Sequence, residues 1–108
     1  MIDLKELQKA VMRNKIEKGF DLDTNYEFCR AYEELAEAYT KFSRNQPGVA
    51  EEFADVMIFI LGMCEKLGFD LEKELIEKVE KNKRRQYIKN KSPDGKDIFM
   101  RIKTDEDP

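Results

Sequence analysis

Read for its alternation of apolar and polar positions, the chain breaks near Gly19, Pro47-Gly48 and Gly68 into four helix-length stretches. The third, Glu51 to Gly68 (EEFADVMIFILGMCEKLG), is the most apolar, and the rest is organised around it. Between Phe53 and Cys64 only Asp55 is charged, and Gly62 is the only other residue that is not apolar. The apolar residues fall at every angle of a helical wheel, so this helix is expected to be surrounded by others. It is too short, and too strongly flanked by charge, to span a bilayer. A carboxylate embedded in such a run needs compensation. For Asp55 that means a salt bridge, a place in a helix's first turn, or a metal ion.

Ile2 to Lys18 carries a moderate stripe of Leu4, Leu7, Val11 and Ile16, with Asp3 at its start and Gly19 past its end. A connector, GFDLDTN, leads to a second helix from about Asn25 to Arg44, with Asp23 or Thr24 as its N-cap. Ala31, Leu35, Ala38 and Phe42 form a coiled-coil-like seam along it, widened by Phe28, Tyr32 and Tyr39. Asp70 is placed to cap a fourth helix, Leu71 to about Tyr87. Short connectors predict an all-α, antiparallel four-helix bundle over residues 1–87. Residues 88–108 read as a C-terminal extension: Ser92-Pro93-Asp94-Gly95 is a turn, Ile98 to Ile102 a short strand or docked segment, and Asp105 to Pro108 a frayed end.

Composition narrows the chemistry. At 108 residues, 40% charged and 41% apolar, this is one Glu/Lys/Leu-rich helical domain. The lack of an N-terminal apolar segment and of a membrane span points to a cytoplasmic protein. Cys29 and Cys64 lie in apolar helical patterns and are expected to be reduced core residues. There is no histidine, which removes His-based triads and His-containing zinc or di-iron sites. Any metal must be held by oxygen, which favours Mg²⁺, Mn²⁺ or Ca²⁺. The net charge of −3 is unevenly spread, with a basic stretch from Lys78 to Lys103 and acids gathered at Glu33 to Glu37 and Glu51 to Asp55.

Those acids are spaced for one site. Glu34 and Glu37 in EELAE lie one turn apart, and Glu52 and Asp55 repeat the spacing on the next helix. If the two helices are antiparallel the four carboxylates can face each other, the composition of an oxygen-only divalent-metal site. The plainer reading is that Glu34 and Glu37 pair with Arg30 and Lys41 at the surface. On the fourth helix, the Leu71–Leu75 stripe continues into Lys78, Asn82 and Arg85. These are side chains that grip phosphate oxygens, and equally the residues expected at a solvated helix C-terminus.

EELAE, then EFAD after a loop, then KVEKNKRRQY resembles the signature of the all-α MazG-type nucleotide pyrophosphohydrolases, over roughly Asn25 to Tyr87, and KGF at Lys18 to Phe20 resembles a small single-domain subgroup. The resemblance implies Mg²⁺ (or Mn²⁺) at Glu34, Glu37, Glu52 and Asp55, and phosphate contacts from Lys78, Asn82 and Arg85. It implies hydrolysis of a nucleoside triphosphate to a monophosphate and pyrophosphate, with the metal ligands themselves or Glu33 as candidate base. The chain has no Trp, so the Trp-containing base pocket of some relatives is absent.

Two rivals remain at the level of sequence: a non-catalytic nucleotide sensor on the same fold, and a helical partner-binding module using the basic C-terminal third. The acidic pI of about 5.2, and aromatics placed inward, weigh against nucleic acid as that partner. Four short helices cannot easily enclose a central helix apolar on all sides, so a homodimer or homotetramer is expected. The resemblance implies the same, with the nucleotide site near the interface, where Phe20 and the first helix would contribute a nucleobase contact to the pocket of a neighbouring copy.

Overall fold

The computed structural model describes residues 1–104, so the frayed end expected at Asp105 to Pro108 lies outside the described residues. Four helices and a hairpin follow one another: α1 (Leu4–Glu17), α2 (Thr24–Ser43), α3 (Val49–Leu67), α4 (Leu71–Arg84), β1 (Gln86–Lys91) and β2 (Asp97–Ile102). The helical class holds, with a small antiparallel hairpin added to it. The chain divides into two compact units, Met1–Glu72 and a second beginning at Lys73. No helix among the described residues is long and apolar enough to cross a membrane.

In the first unit α1 and α2 both pack on α3. The helix starts follow local chemistry. Asp3 accepts from the Glu6 amide at 3.1 Å and Asp23 from the Tyr26 amide at 2.9 Å, each satisfying a donor the helix cannot satisfy itself. Gly48 opens α3 at φ 99°, a left-handed conformation that favours glycine. The Leu71 amide at the start of α4 donates to Gln8 Oε1 at 3.0 Å, and the Leu4 amide donates to Glu72 Oε1 at 3.2 Å.

The core is small: Ala38, Leu61, Met63 and Cys64 are its buried apolar residues. Burial pushes the Cys64 thiol above its ordinary range, while Cys29 is exposed rather than in the core as its pattern suggested. The two buried positions of α1 are polar, while Leu4 and Val11 of the expected stripe are half-buried. Gln8 and Lys15, two turns apart, are buried, and the apolar Leu7 and Ile16 face outward. Gln8 donates to Glu65 Oε2 at 3.2 Å and to the Phe69 carbonyl at 3.0 Å. Lys15 pairs with Glu27 on α2 at 2.9 Å, both side chains almost fully buried.

This ion pair explains Gly62, the break in the apolar run. A Cβ there would lie 2.6 Å from Lys15 Nζ, so only glycine leaves the ammonium room against α3. The expectation that α3 is enclosed on every side is not met within one chain: Phe53, Met57 and Ile58 are exposed. So are all five aromatic residues of α2, Tyr39 at 70% and Phe42 at 69% among them.

In the second unit, helix α4 stops at Arg84 rather than Tyr87. The residues expected to be an extension form strands paired from Gln86↔Ile102 to Lys91↔Asp97. Gly95, at φ 86°, lets the Ser92–Lys96 turn close, as the Ser-Pro-Asp-Gly signal suggested. By strand alternation one face of the ribbon carries Ile88, Ile98, Met100 and Ile102, and the other Tyr87, Lys89, Phe99 and Arg101. Every strand residue is exposed.

Candidate metal centre and nucleotide cleft

The site is built where α2 faces the start of α3. Glu34 and Glu37 project from successive turns of α2, and Glu52 sits in the first turn of α3, where the helix dipole favours an anion. One carboxylate oxygen from each of these three lies within 4.8 Å of the others. Glu34 and Glu52 are buried, and Glu37 is exposed on the solvent side. Asp55, one turn beyond Glu52, stands outside this trio, but its charge is felt at Glu34.

Two cations hold the cluster, each taking one oxygen. Arg30 Nη2 donates to Glu34 Oε1 at 3.1 Å, and its other arm pairs with Glu33. Lys41 Nζ donates to Glu52 Oε1 at 2.7 Å. The Lys41 side chain reaches Glu52 by lying over Gly48, where a Cβ would come within 3.2 Å of its ammonium. The pairing anticipated for Arg30 and Lys41 is therefore present, although Lys41 meets Glu52 across helices rather than an acid of its own helix.

The charges are unequal in consequence. Burial raises the Glu34 carboxyl to about 7, helped by its hydrogen bond with Glu52 and by the carboxylates of Glu37 and Asp55. Glu52 is held below its ordinary range, chiefly by Lys41 and then by the hydrogen bond from Glu34. Glu52 Oε2 is buried with no hydrogen-bond partner among the described residues. Three convergent carboxylates, one with an unused buried oxygen and one held partly protonated, fit a hard divalent cation: the ion would displace the proton and use the spare oxygen.

Glu34 and Asp55 also form part of the wall of a cleft of about 470 Å³ bounded by α1, α2 and α3. Lys15, Phe20, Arg30 and Phe59 are shared between this cleft and a smaller one of about 230 Å³, which adds Tyr26 and Glu27. Phe59 lies between two cations, 4.8 Å from Lys15 Nζ and 5.9 Å from Arg30 Cζ. The expected phosphate ligands all belong to the second unit: Lys78 and Asn82 on α4, and Arg85 just past its end, where Arg85 Nη1 donates to Asn82 Oδ1 at 2.8 Å.

The model of the MazG-like family matches residues 25–97, which hold all four expected metal ligands and Lys78, Asn82 and Arg85. The chain belongs to the MazG-like family. No curated protein and no solved structure matches it. Within this MazG-like chain, Lys15 and Phe20 precede the matched residues while Glu27 and Arg30 fall inside them. Sequence reading overlooked Lys15, Glu27 and Gln8. The signal for Lys15 was indirect: a glycine in the middle of an otherwise apolar helix needs something to fill the space beside it.

Proposed function

We propose that this MazG-like protein is a divalent-metal-dependent pyrophosphohydrolase that splits a nucleoside or deoxynucleoside triphosphate, with water, into the monophosphate and pyrophosphate. One observation carries the reading: three carboxylates from two helices converge within 4.8 Å, and one of them also lines an aromatic-walled cleft of about 470 Å³. A bound Mg²⁺ or Mn²⁺ would neutralise phosphate charge as it develops in the transition state. Glu34, Glu37 and Glu52 would hold it, with Asp55 completing the set from the cleft wall.

The chain's own residues do the rest. Arg30 and Lys41 keep the carboxylates of Glu34 and Glu52 oriented and balance their charge. Glu34, which holds a proton up to about pH 7, gives it up when the ion enters. Glu33 stays tied to Arg30, which favours one of the ligand carboxylates over Glu33 for orienting the attacking water. Lys78, Asn82 and Arg85 are assigned to the polyphosphate, Arg85 offering a planar fork and Lys78 a point charge. The exposed aromatic face of α2, with Phe53 of α3, is assigned to a second copy of the chain, so the working form is at least a homodimer.

The test is pyrophosphate release across the common ribo- and deoxyribonucleoside triphosphates with Mg²⁺. At least one should be split, and Glu37→Gln and Asp55→Asn should each abolish turnover while remaining folded. Nucleotide binding without release would make the protein a sensor and sink the catalytic reading. Arg85→Ala should lower kcat/KM about 10- to 100-fold, the range for losing a hydrogen bond from a charged group. A variant that loses thermal stability but keeps nucleotide affinity would remove Arg85 from the site.

A further inference from the structure

The buried pair of Lys15 and Glu27 does more than join α1 to α2, because one end of it is unused. Glu27 Oε1 accepts from Lys15 at 2.9 Å, but Glu27 Oε2 is buried and has no hydrogen-bond partner among the described residues. The residue is 2% exposed, and what little of it is open lines a cleft. A buried anionic acceptor left unmatched is costly, and such atoms usually have a partner.

What surrounds it indicates the missing partner. Lys15 and Glu27 form part of the wall of the 230 Å³ cleft together with the rings of Phe20, Tyr26 and Phe59. Flat aromatic walls suit a flat ligand. Two carboxylates, Asp21 and Glu27, line this smaller cleft and offset its two cations, Lys15 and Arg30, so it is the less favourable end for phosphate, whereas the 470 Å³ cleft sharing Lys15, Phe20, Arg30 and Phe59 reaches the proposed metal ligands Glu34 and Asp55. A nucleotide is therefore polarised: phosphates toward Glu34 and Asp55, base toward Glu27.

We infer that Lys15 and Glu27 form the reader of a nucleobase edge. Glu27 Oε2 accepts from a ring or exocyclic N–H of the base, and Lys15 donates to the neighbouring carbonyl oxygen or ring nitrogen. The rings of Phe20, Tyr26 and Phe59 hold the base plane. This assignment rests on the proposed nucleotide chemistry and deepens it: the specificity-determining pair is one that the metal site does not touch.

The test removes both charges together, Lys15→Met with Glu27→Leu, because deleting one alone would strand the other. Binding of the four common nucleoside monophosphates and of ribose 5-phosphate is measured by calorimetry, and triphosphate turnover is measured alongside. The wild type should bind its preferred monophosphate at least about tenfold more tightly than ribose 5-phosphate, as expected for one charged hydrogen bond plus stacking. The double variant should bind all four bases within about twofold of ribose 5-phosphate. If that variant does not fold, Glu27→Gln carries the test. Its amide can present an N–H where the oxygen was, so the order of preference should change and not only the rate. An unchanged order in a folded variant overturns the inference and leaves the hydrolase reading intact. A wild type that neither binds nor splits any nucleotide overturns both.

Discussion

At the scale of single residues, the metal-free site sets an opposition of pH effects. Glu34 binds its proton more tightly folded than unfolded, about 7 against an ordinary 4.5, so its contribution favours folding at low pH and is lost as pH rises between those values. Glu52 is shifted the other way, so its stabilising pair with Lys41 is present above 4.5 and is lost as pH falls below it. Without metal, the melting temperature should fall as pH rises from about 4.5 to 7, and Glu34→Gln should flatten that limb. Affinity for Mg²⁺ should rise over the same interval, because the ion displaces the Glu34 proton. Thermal melts and metal titrations at matched ionic strength check both. Lys41→Met should tighten Mg²⁺ binding, since the ion no longer competes with an ammonium for Glu52, while lowering the stability of the metal-free form. Weaker Mg²⁺ binding in that variant would assign Lys41 to the ligand-bearing structure instead. These acids were legible from their i, i+3 spacing. The partner chosen by Lys41 was not, because spacing along one helix says nothing about which residue of the next helix comes opposite.

Among the elements, α3 was the easiest to read and α1 the most misleading. An unbroken apolar run between charged flanks has few alternatives to a packed helix, and Asp3 and Asp23 announce the starts of α1 and α2 by their chemistry. On α1 a wheel that sends apolar residues inward is half right: Leu4 and Val11 are half-buried, but the deepest positions go to Gln8 and Lys15, whose partners lie on other elements that sequence does not display. The hairpin was half legible: its turn was plain, but Gln86 to Lys91 is as rich in Lys and Asn as a helix end. Gly62→Ala tests the α1–α3 contact. A methyl 2.6 Å from Lys15 Nζ must push the ammonium off Glu27, so the variant should lose about 1–3 kcal/mol of stability by denaturant melt. Combined with Lys15→Met and Glu27→Leu the same change should cost little, since the flexible thioether can yield. Equal losses in both backgrounds would place the effect in the α3 backbone.

The whole molecule is under-filled as a single chain. Four buried apolar residues among those described are a slender core, while an apolar groove of about 610 Å³ lined by Leu35, Ala38, Tyr39, Phe42, Val49 and Phe53 stays open. Apolar surface so disposed is what paired subunits cover. Sedimentation equilibrium at micromolar concentration should show a dimer or larger, and Phe42→Asp should shift it to smaller, less stable species. A folded, active monomer would sink both the pairing and any reading in which the copies share a site. An uncovered apolar face could be anticipated from an all-round apolar α3 in a chain of 108 residues. The groove that carries it could not, since it depends on how far α1 and α2 wrap around α3.

The exchanged hydrogen bonds between the starts of α1 and α4 have a kinetic consequence. The Leu4 amide depends on Glu72, and the Leu71 amide depends on Gln8, so neither first turn can open without releasing a donor of the other. Hydrogen–deuterium exchange should find these two amides, 67 positions apart in the sequence, opening as one unit. The beginning of the chain would then report on the entry to its fourth helix.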